Sequence, residues 1–113
     1  MDGYVIQMDA WHKTIETLGD PVAKALPDNF IGQGIKDGYR YYKFLSAGLI
    51  YFYQVTNIET KEVHYEIFQT EVTGKRKEKR QMYPWEEPIC DTIETFNNNG
   101  AANYRFGEIL RGR

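Results

Sequence analysis

Residues 49–73 read LIYFYQVTNIETKEVHYEIFQTEVT, and the parsing of this stretch decides the fold. Leu49 to Ile58 and Val63 to Thr73 are dense in aromatic and β-branched residues, and the polar link Glu59-Thr60-Lys61-Glu62 divides them. Two such runs about a short polar link predict a β-hairpin. Two registers are open. A two-residue loop at Thr60-Lys61 pairs Ile58 with Val63. A four-residue loop, Ile58 to Lys61, pairs Asn57 with Glu62 and Phe52 with Ile67. Both give the same faces, because they differ by an even shift. One face carries Ile50, Phe52, Gln54 and Thr56 with Val63, Tyr65 and Ile67. No charge interrupts it, so it is assigned to the core. The other carries Leu49, Tyr51, Tyr53 and Val55 with His64, Glu66, Phe68, Thr70 and Val72. Its tyrosines and its charged groups predict partial exposure.

Upstream, Tyr39 to Leu45 is a third aromatic strand, bounded by Gly38 and by Ser46-Ala47-Gly48. From Pro27 to Gly38 the glycines, Asp28, Asn29 and Asp37 read as a loop, with Phe30, Ile31 and Ile35 tucked inward. Asp20-Pro21 starts a short helix over Val22 to Leu26, which Pro27 ends. At the N-terminus Tyr4, Met8, Trp11, Ile15 and Leu18 recur at helical period, with Asp2 as cap and Gly19 as stop. A helix with this apolar stripe is expected there.

Downstream, Gly74 to Arg80 reads as an exposed loop or the start of a polar edge strand. Tyr83-Pro84-Trp85-Glu86-Glu87-Pro88 is a proline-bounded loop. Ile89 to Phe96 offers a further strand, which Asn97 to Gly100 breaks. Ala101 to Leu110 closes as a helix, with Ala102, Phe106, Ile109 and Leu110 on one side. The expected fold is therefore α+β: one compact domain over residues 1–113. It is an antiparallel meander of about three to five strands packed with an N-terminal and a C-terminal helix.

The chain has 113 residues, net charge -2, and 42% apolar against 27% charged residues. That balance belongs to a globular chain with one core. A single cysteine excludes an intramolecular disulfide framework and a multi-cysteine metal site. No apolar run reaches the roughly 18 to 20 residues that span a bilayer. Met1-Asp2-Gly3 carries no basic leader, so a cytoplasmic location and no membrane partner are expected.

Chemistry-bearing constellations are few. His12, His64 and Cys90 lack metal-ligand spacing, so neither a metal nor a cofactor is expected. His64 and Glu66 alternate onto one strand face and read as a polar pair, because no concave site accompanies them. Asp91 beside Cys90 raises a thiol pKa and argues against a nucleophile. Gly32-Gln33-Gly34 lacks the third glycine of a dinucleotide fingerprint. Ser46 sits in a turn with no nucleophile-elbow context. No catalytic residue is assigned, and the chain is expected not to be an enzyme.

Two surface features remain. Lys75, Arg76, Lys77, Lys79 and Arg80 against Glu78 put +4 into six residues and leave -6 on the rest. Such a tip can contact phosphates, and Tyr39-Arg40-Tyr41-Tyr42-Lys43-Phe44 interleaves bases with stacking rings. Trp85, between prolines and beside Glu86 and Glu87, reads as an interface anchor or as a lid over the core edge. The expected function is a small protein-interaction module that binds a protein partner through Tyr51, Tyr53, Trp85, Glu86 and Glu87. A stoichiometric inhibitor or adaptor, for example one encoded by a phage or mobile element, is an instance. The alternative is a nucleic-acid binder using residues 75–80.

Overall fold

A computed structural model describes residues 23–112 of the chain. In chain order the elements are β1 (Asn29–Ile31), β2 (Tyr39–Ala47), β3 (Ile50–Asn57), β4 (Val63–Gln69), β5 (Val72–Thr73), β6 (Arg80–Gln81), β7 (Glu94–Phe96) and α1 (Asn99–Leu110). They fall into two compact units. The larger holds residues 25–71 and 82–112, an α+β arrangement of a five-stranded antiparallel sheet and α1. Its strand order is β1-β2-β3-β4-β7, a meander that β7 completes beside β4. The described part of the smaller unit includes the hairpin β5–β6 around a 3-10 turn at Arg76–Glu78. The expected N-terminal helix, with Tyr4, Met8, Trp11, Ile15 and Leu18, lies outside the described residues. So does the start of the short helix after Asp20, and residues 23–26 are not helical.

The β3–β4 hairpin adopts the four-residue loop. Phe52 pairs with Ile67, and Asn57 N–H donates to the Glu62 carbonyl at 2.8 Å. Asn57 sets this loop by accepting the N–H groups of Glu59 (2.9 Å) and Thr60 (3.0 Å) on its side-chain oxygen. Between β2 and β3 a bulge falls between Lys43 and Leu45. It leaves Phe44 unpaired and turns it toward the same side as Phe52, whose ring lies 5.5 Å away.

Both sheet faces carry a core. On the helix side Phe52, Ile67, Ala102 and Phe106 are buried, with Phe44, Tyr65, Phe96 and Ile109 packed around them. The uncharged face is thus the one α1 covers. Asn98 caps α1 by accepting the Ala101 N–H at 2.8 Å. Truncating a buried ring such as Phe106 removes about 3–5 kcal/mol.

The opposite face corrects the sequence reading. Tyr51 and Tyr53, expected on a partly exposed surface, are fully buried with Tyr41, Val55, Phe68, Leu26 and Ile89. Burial is tolerated because each hydroxyl has a partner. Tyr51 accepts the Leu26 N–H at 2.9 Å, Tyr53 donates to the Pro27 carbonyl at 2.8 Å, and Tyr41 donates to Glu66 Oε1 at 2.6 Å. Segment 26–28 is laid over this face, pinned further by Lys43 Nζ donating to the Leu26 carbonyl at 2.7 Å.

Three smaller expectations also change. Ile31 is exposed rather than tucked in, because Phe30 alone of β1 faces the tyrosine core, and Ile35 is exposed in the 3-10 turn Gly34–Lys36. Leu110 is exposed at the end of α1. Residues 89–91 form a 3-10 turn, which shortens the last strand to Glu94–Phe96. Among the described residues no helix is long and apolar enough to cross a membrane.

Candidate functional site

Strand alternation brings His64 and Glu66 together, as their spacing implies: His64 Nε2 lies 2.8 Å from Glu66 Oε2. The pair belongs to a larger network. Lys36 reaches the same oxygen at 3.1 Å from the loop before β2, and Tyr41 holds the other. Glu66 is fully buried, while His64 and Lys36 keep an edge in solvent. Burial opposes the Glu66 charge. The hydrogen bonds from His64 and Tyr41 and the Lys36 ammonium outweigh it, and hold the carboxyl below its ordinary range. Burial first, and then the Glu66 charge, push the Tyr41 hydroxyl far above its ordinary value.

Lys36 and Tyr41 were not legible from the strand pattern, since 30 and 25 residues separate them from Glu66. A signal for the loop does exist at Gly32. A Cβ there would stand 2.2 Å from the Lys36 carbonyl oxygen, so only glycine closes the turn that delivers Lys36. Every acceptor site of Glu66 that the network uses is met by this chain's own donors. The arrangement anchors the loop that carries Lys36 to the sheet.

Trp85 does not stand out as an exposed anchor. It is half-buried, stacked on Tyr83 at 4.6 Å and edge-on to Phe30 at 5.8 Å. Glu86 Oε1 accepts the Tyr83 N–H at 2.6 Å and tightens this turn, and Glu87 beside it is exposed. Trp85 therefore closes the outer end of the tyrosine core, the lid alternative of the sequence reading. With Tyr51 and Tyr53 buried, the five expected partner residues do not share one surface.

The basic run forms the turn of the β5–β6 hairpin. Lys75, Arg76 and Lys77 are exposed at its tip, Lys79 is half-buried, and Arg80 lies in β6. Gly74 at φ 92 is required there, since a Cβ would meet the Glu78 carbonyl oxygen at 2.4 Å. Glu87, Cys90 and Asp91 also cluster near one another. Partial burial and the carboxylates of Asp91 and Glu87 push the Cys90 thiol up, away from a nucleophilic thiolate.

Among the described residues a patch of exposed apolar side chains lies on the helix side of the sheet. α1 packs mainly on β4 and β7, and among the described residues the helix-side positions of β1 and β2 are largely exposed. Ladder register sets out the residues of that half in rows. Ile31, Arg40, Thr56 and Val63 form one, Asn29, Tyr42, Gln54 and Tyr65 the next, and Leu45 begins a third beside Phe52. Tyr42 is 51% exposed, Leu45 44%, Val63 42% and Ile31 41%. Arg40 is the one charged side chain in these rows, and Asn29 Oδ1 lies 3.4 Å from it. The sequence reading placed the hairpin's uncharged face beneath an N-terminal and a C-terminal helix, and the first of these lies outside the described residues. The Arg40-Tyr42 alternation in the stacking motif was the available signal. A cavity of about 250 Å³ between β4 and α1 is lined by Ile67, Gln69, Thr92, Glu94, Arg105 and Ile109 among others. In it Arg105 and Glu94 neutralise each other at 2.7 Å.

No protein-family model matches the chain, no curated protein matches it, and no solved structure matches it.

Proposed function

We propose that the chain is a non-catalytic protein-interaction module, an adaptor or stoichiometric inhibitor in kind, that docks through the exposed half of the helix-side sheet face. One observation carries this reading: Ile31, Tyr42 and Leu45 are exposed on the helix-side face of β1 and β2, beside Arg40. Tyrosine and arginine within an apolar patch are the composition of interface centres. The polar groups with unusual electrostatics are spent internally, Glu66 on three donors and Glu94 on Arg105. That supports binding over catalysis. The test is affinity capture by the wild type beside Tyr42→Glu/Leu45→Glu and beside His64→Ala. The reading expects the face variant to lose the captured partner and His64→Ala to keep it. Loss with His64→Ala alone overturns it.

A second reading rests on the exposed Lys75, Arg76 and Lys77 at the hairpin tip. These would contact a nucleic-acid backbone, and the affinity would fall steeply with salt. Oligonucleotide binding across a salt series separates the two.

A further inference from the structure

We propose that His64 is a proton sensor for the loop between β1 and β2: when the imidazole takes up a proton, Lys36 leaves Glu66 and residues 33–37 loosen from the sheet. The device lies within residues 32–66 of the larger unit, and it holds whether or not the interaction-module reading does.

Two donors depend on one oxygen. His64 Nε2 stands 2.8 Å from Glu66 Oε2 and Lys36 Nζ stands 3.1 Å from the same atom, while Tyr41 occupies Oε1. An ionised carboxylate only accepts, so the neutral imidazole carries its hydrogen on Nε2 and offers Nδ1 to a second proton. Before that proton arrives, one ammonium faces one carboxylate. Afterwards two cations face a single buried anion, no more than about 6 Å from each other. Like charges at that range oppose each other, so one should yield. The imidazolium stays, because it is fixed on β4 beside its acceptor and its hydrogen bond strengthens with charge. The ammonium goes, because it ends a flexible stem on a loop and 21% of its side chain already lies in solvent. Glu66 keeps a counter-ion throughout, so the loop yields and the sheet does not.

Little else ties this loop down. Among the described residues, Lys36 makes the only side-chain hydrogen bond from residues 32–38 to the sheet. The loop's ends are fixed by backbone bonds: Gly32 N–H donates to the Tyr39 carbonyl at 2.8 Å, and Ile58 N–H donates to the Gly38 carbonyl at 2.9 Å. Opening is thus confined to the segment between them, whose own bonds run from Lys36 N–H to the Gln33 carbonyl and from Asp37 N–H to the Gly34 carbonyl. Besides Glu66 and Lys36, the titratable groups facing His64 are Tyr41 and Tyr39 of β2, the Tyr39 ring 5.8 Å away, and its partner Val55 on β3 is uncharged. Imidazole is the one side chain among these types that ordinarily changes charge between about pH 5 and 8.

The test is amide hydrogen exchange of the full chain at about pH 7.5 and pH 5.5, expressed as protection factors so that intrinsic pH dependence drops out. Protection of Lys36 and Asp37 should fall about tenfold on acidification, while the β3 amides of Phe52 and Tyr53 keep theirs. The midpoint of that fall should coincide with the titration midpoint of the His64 ring resonances. His64→Gln keeps an N–H for Glu66 and takes no proton, so the loop should stay closed at both pH values; His12 is untouched by this variant. In Lys36→Met the His64 ring should hold its proton about tenfold more tightly, because the coupling is reciprocal. Protection that stays level or rises on acidification overturns the proposal, as does a fall that survives His64→Gln or an unmoved ring midpoint in Lys36→Met. Should the variants fold poorly, the wild type decides by itself: loop and ring midpoints that fail to coincide overturn it.

Discussion

Tyr41 and Glu66 meet across an intervening strand: the hydroxyl on β2 donates to the carboxylate on β4 at 2.6 Å, spanning β3. The bond ties non-neighbouring strands on the buried face, where Tyr41 and Glu66 are both without accessible surface. A charge in that position is stable only while its donors stay in place.

Removing one member should show how the network divides its contribution. Tyr41→Phe takes away one hydrogen bond and is expected to cost about 1–3 kcal/mol. Glu66→Ala leaves Lys36 and His64 facing a vacated site and is expected to cost about 3–5 kcal/mol. The double variant should fall short of the sum, because the two residues share the interaction. Urea denaturation of the three variants measures this, and strict additivity would contradict the coupling.

Acid should probe the same carboxylate. Its folded pKa lies below the ordinary value of 4.5. The stability it contributes is therefore present in full above the unfolded value, and is lost as the pH falls through the folded one. Stability owed to Glu66 should be flat from pH 7 to about pH 5, then decline below the ordinary carboxylate range. Glu66→Gln should flatten that decline in a series of urea titrations at stepped pH.

Trp85→Ala is expected to destabilise by about 2–3 kcal/mol, since the half-buried indole stacks on Tyr83 and abuts Phe30. The near-ultraviolet circular dichroism of the tyrosine core should weaken with it. An unchanged melting curve together with lost partner binding would return Trp85 to the role of exposed anchor.

Gly32→Ala is expected to cost at least about 2 kcal/mol, because the new methyl meets the Lys36 carbonyl oxygen. In Lys36→Met the ion pair is already gone, so Gly32→Ala should cost less in that background. A double-mutant cycle in urea reads the difference.

How much of this lay open in the sequence depends on range. The hairpin, its two permitted registers and the covered Phe52–Ile67 face followed from alternation over a few residues, and the C-terminal helix followed from its spacing. The tyrosine face was misjudged because its acceptability depends on hydroxyl partners 25 and 26 positions away, at Leu26, Pro27 and Glu66. Without them, three buried phenols would each carry an unmet polar atom, and partial exposure would be the right expectation. The exposed apolar patch around Tyr42 and Leu45 illustrates the opposite case. An uncharged face announces burial, yet nothing local to Tyr42 or Leu45 says that α1 packs mainly on β4 and β7.

The larger unit is discontinuous in sequence, leaving at Glu71 and returning at Met82. Met82 N–H donates to the Glu71 carbonyl at 3.0 Å, and Thr70 Oγ1 donates to the Met82 carbonyl at 2.6 Å. Exit and re-entry are thus clasped side by side. Residues 72–81 leave the larger unit between these two points, so their replacement tests how far the clasp holds by itself. Replacing the ten residues by an Asn-Gly turn should leave cooperative unfolding of the sheet intact, and a broadened transition would show that the clasp depends on its contents. The position is a ready insertion site for a second domain, and evolution could vary it without renegotiating the core.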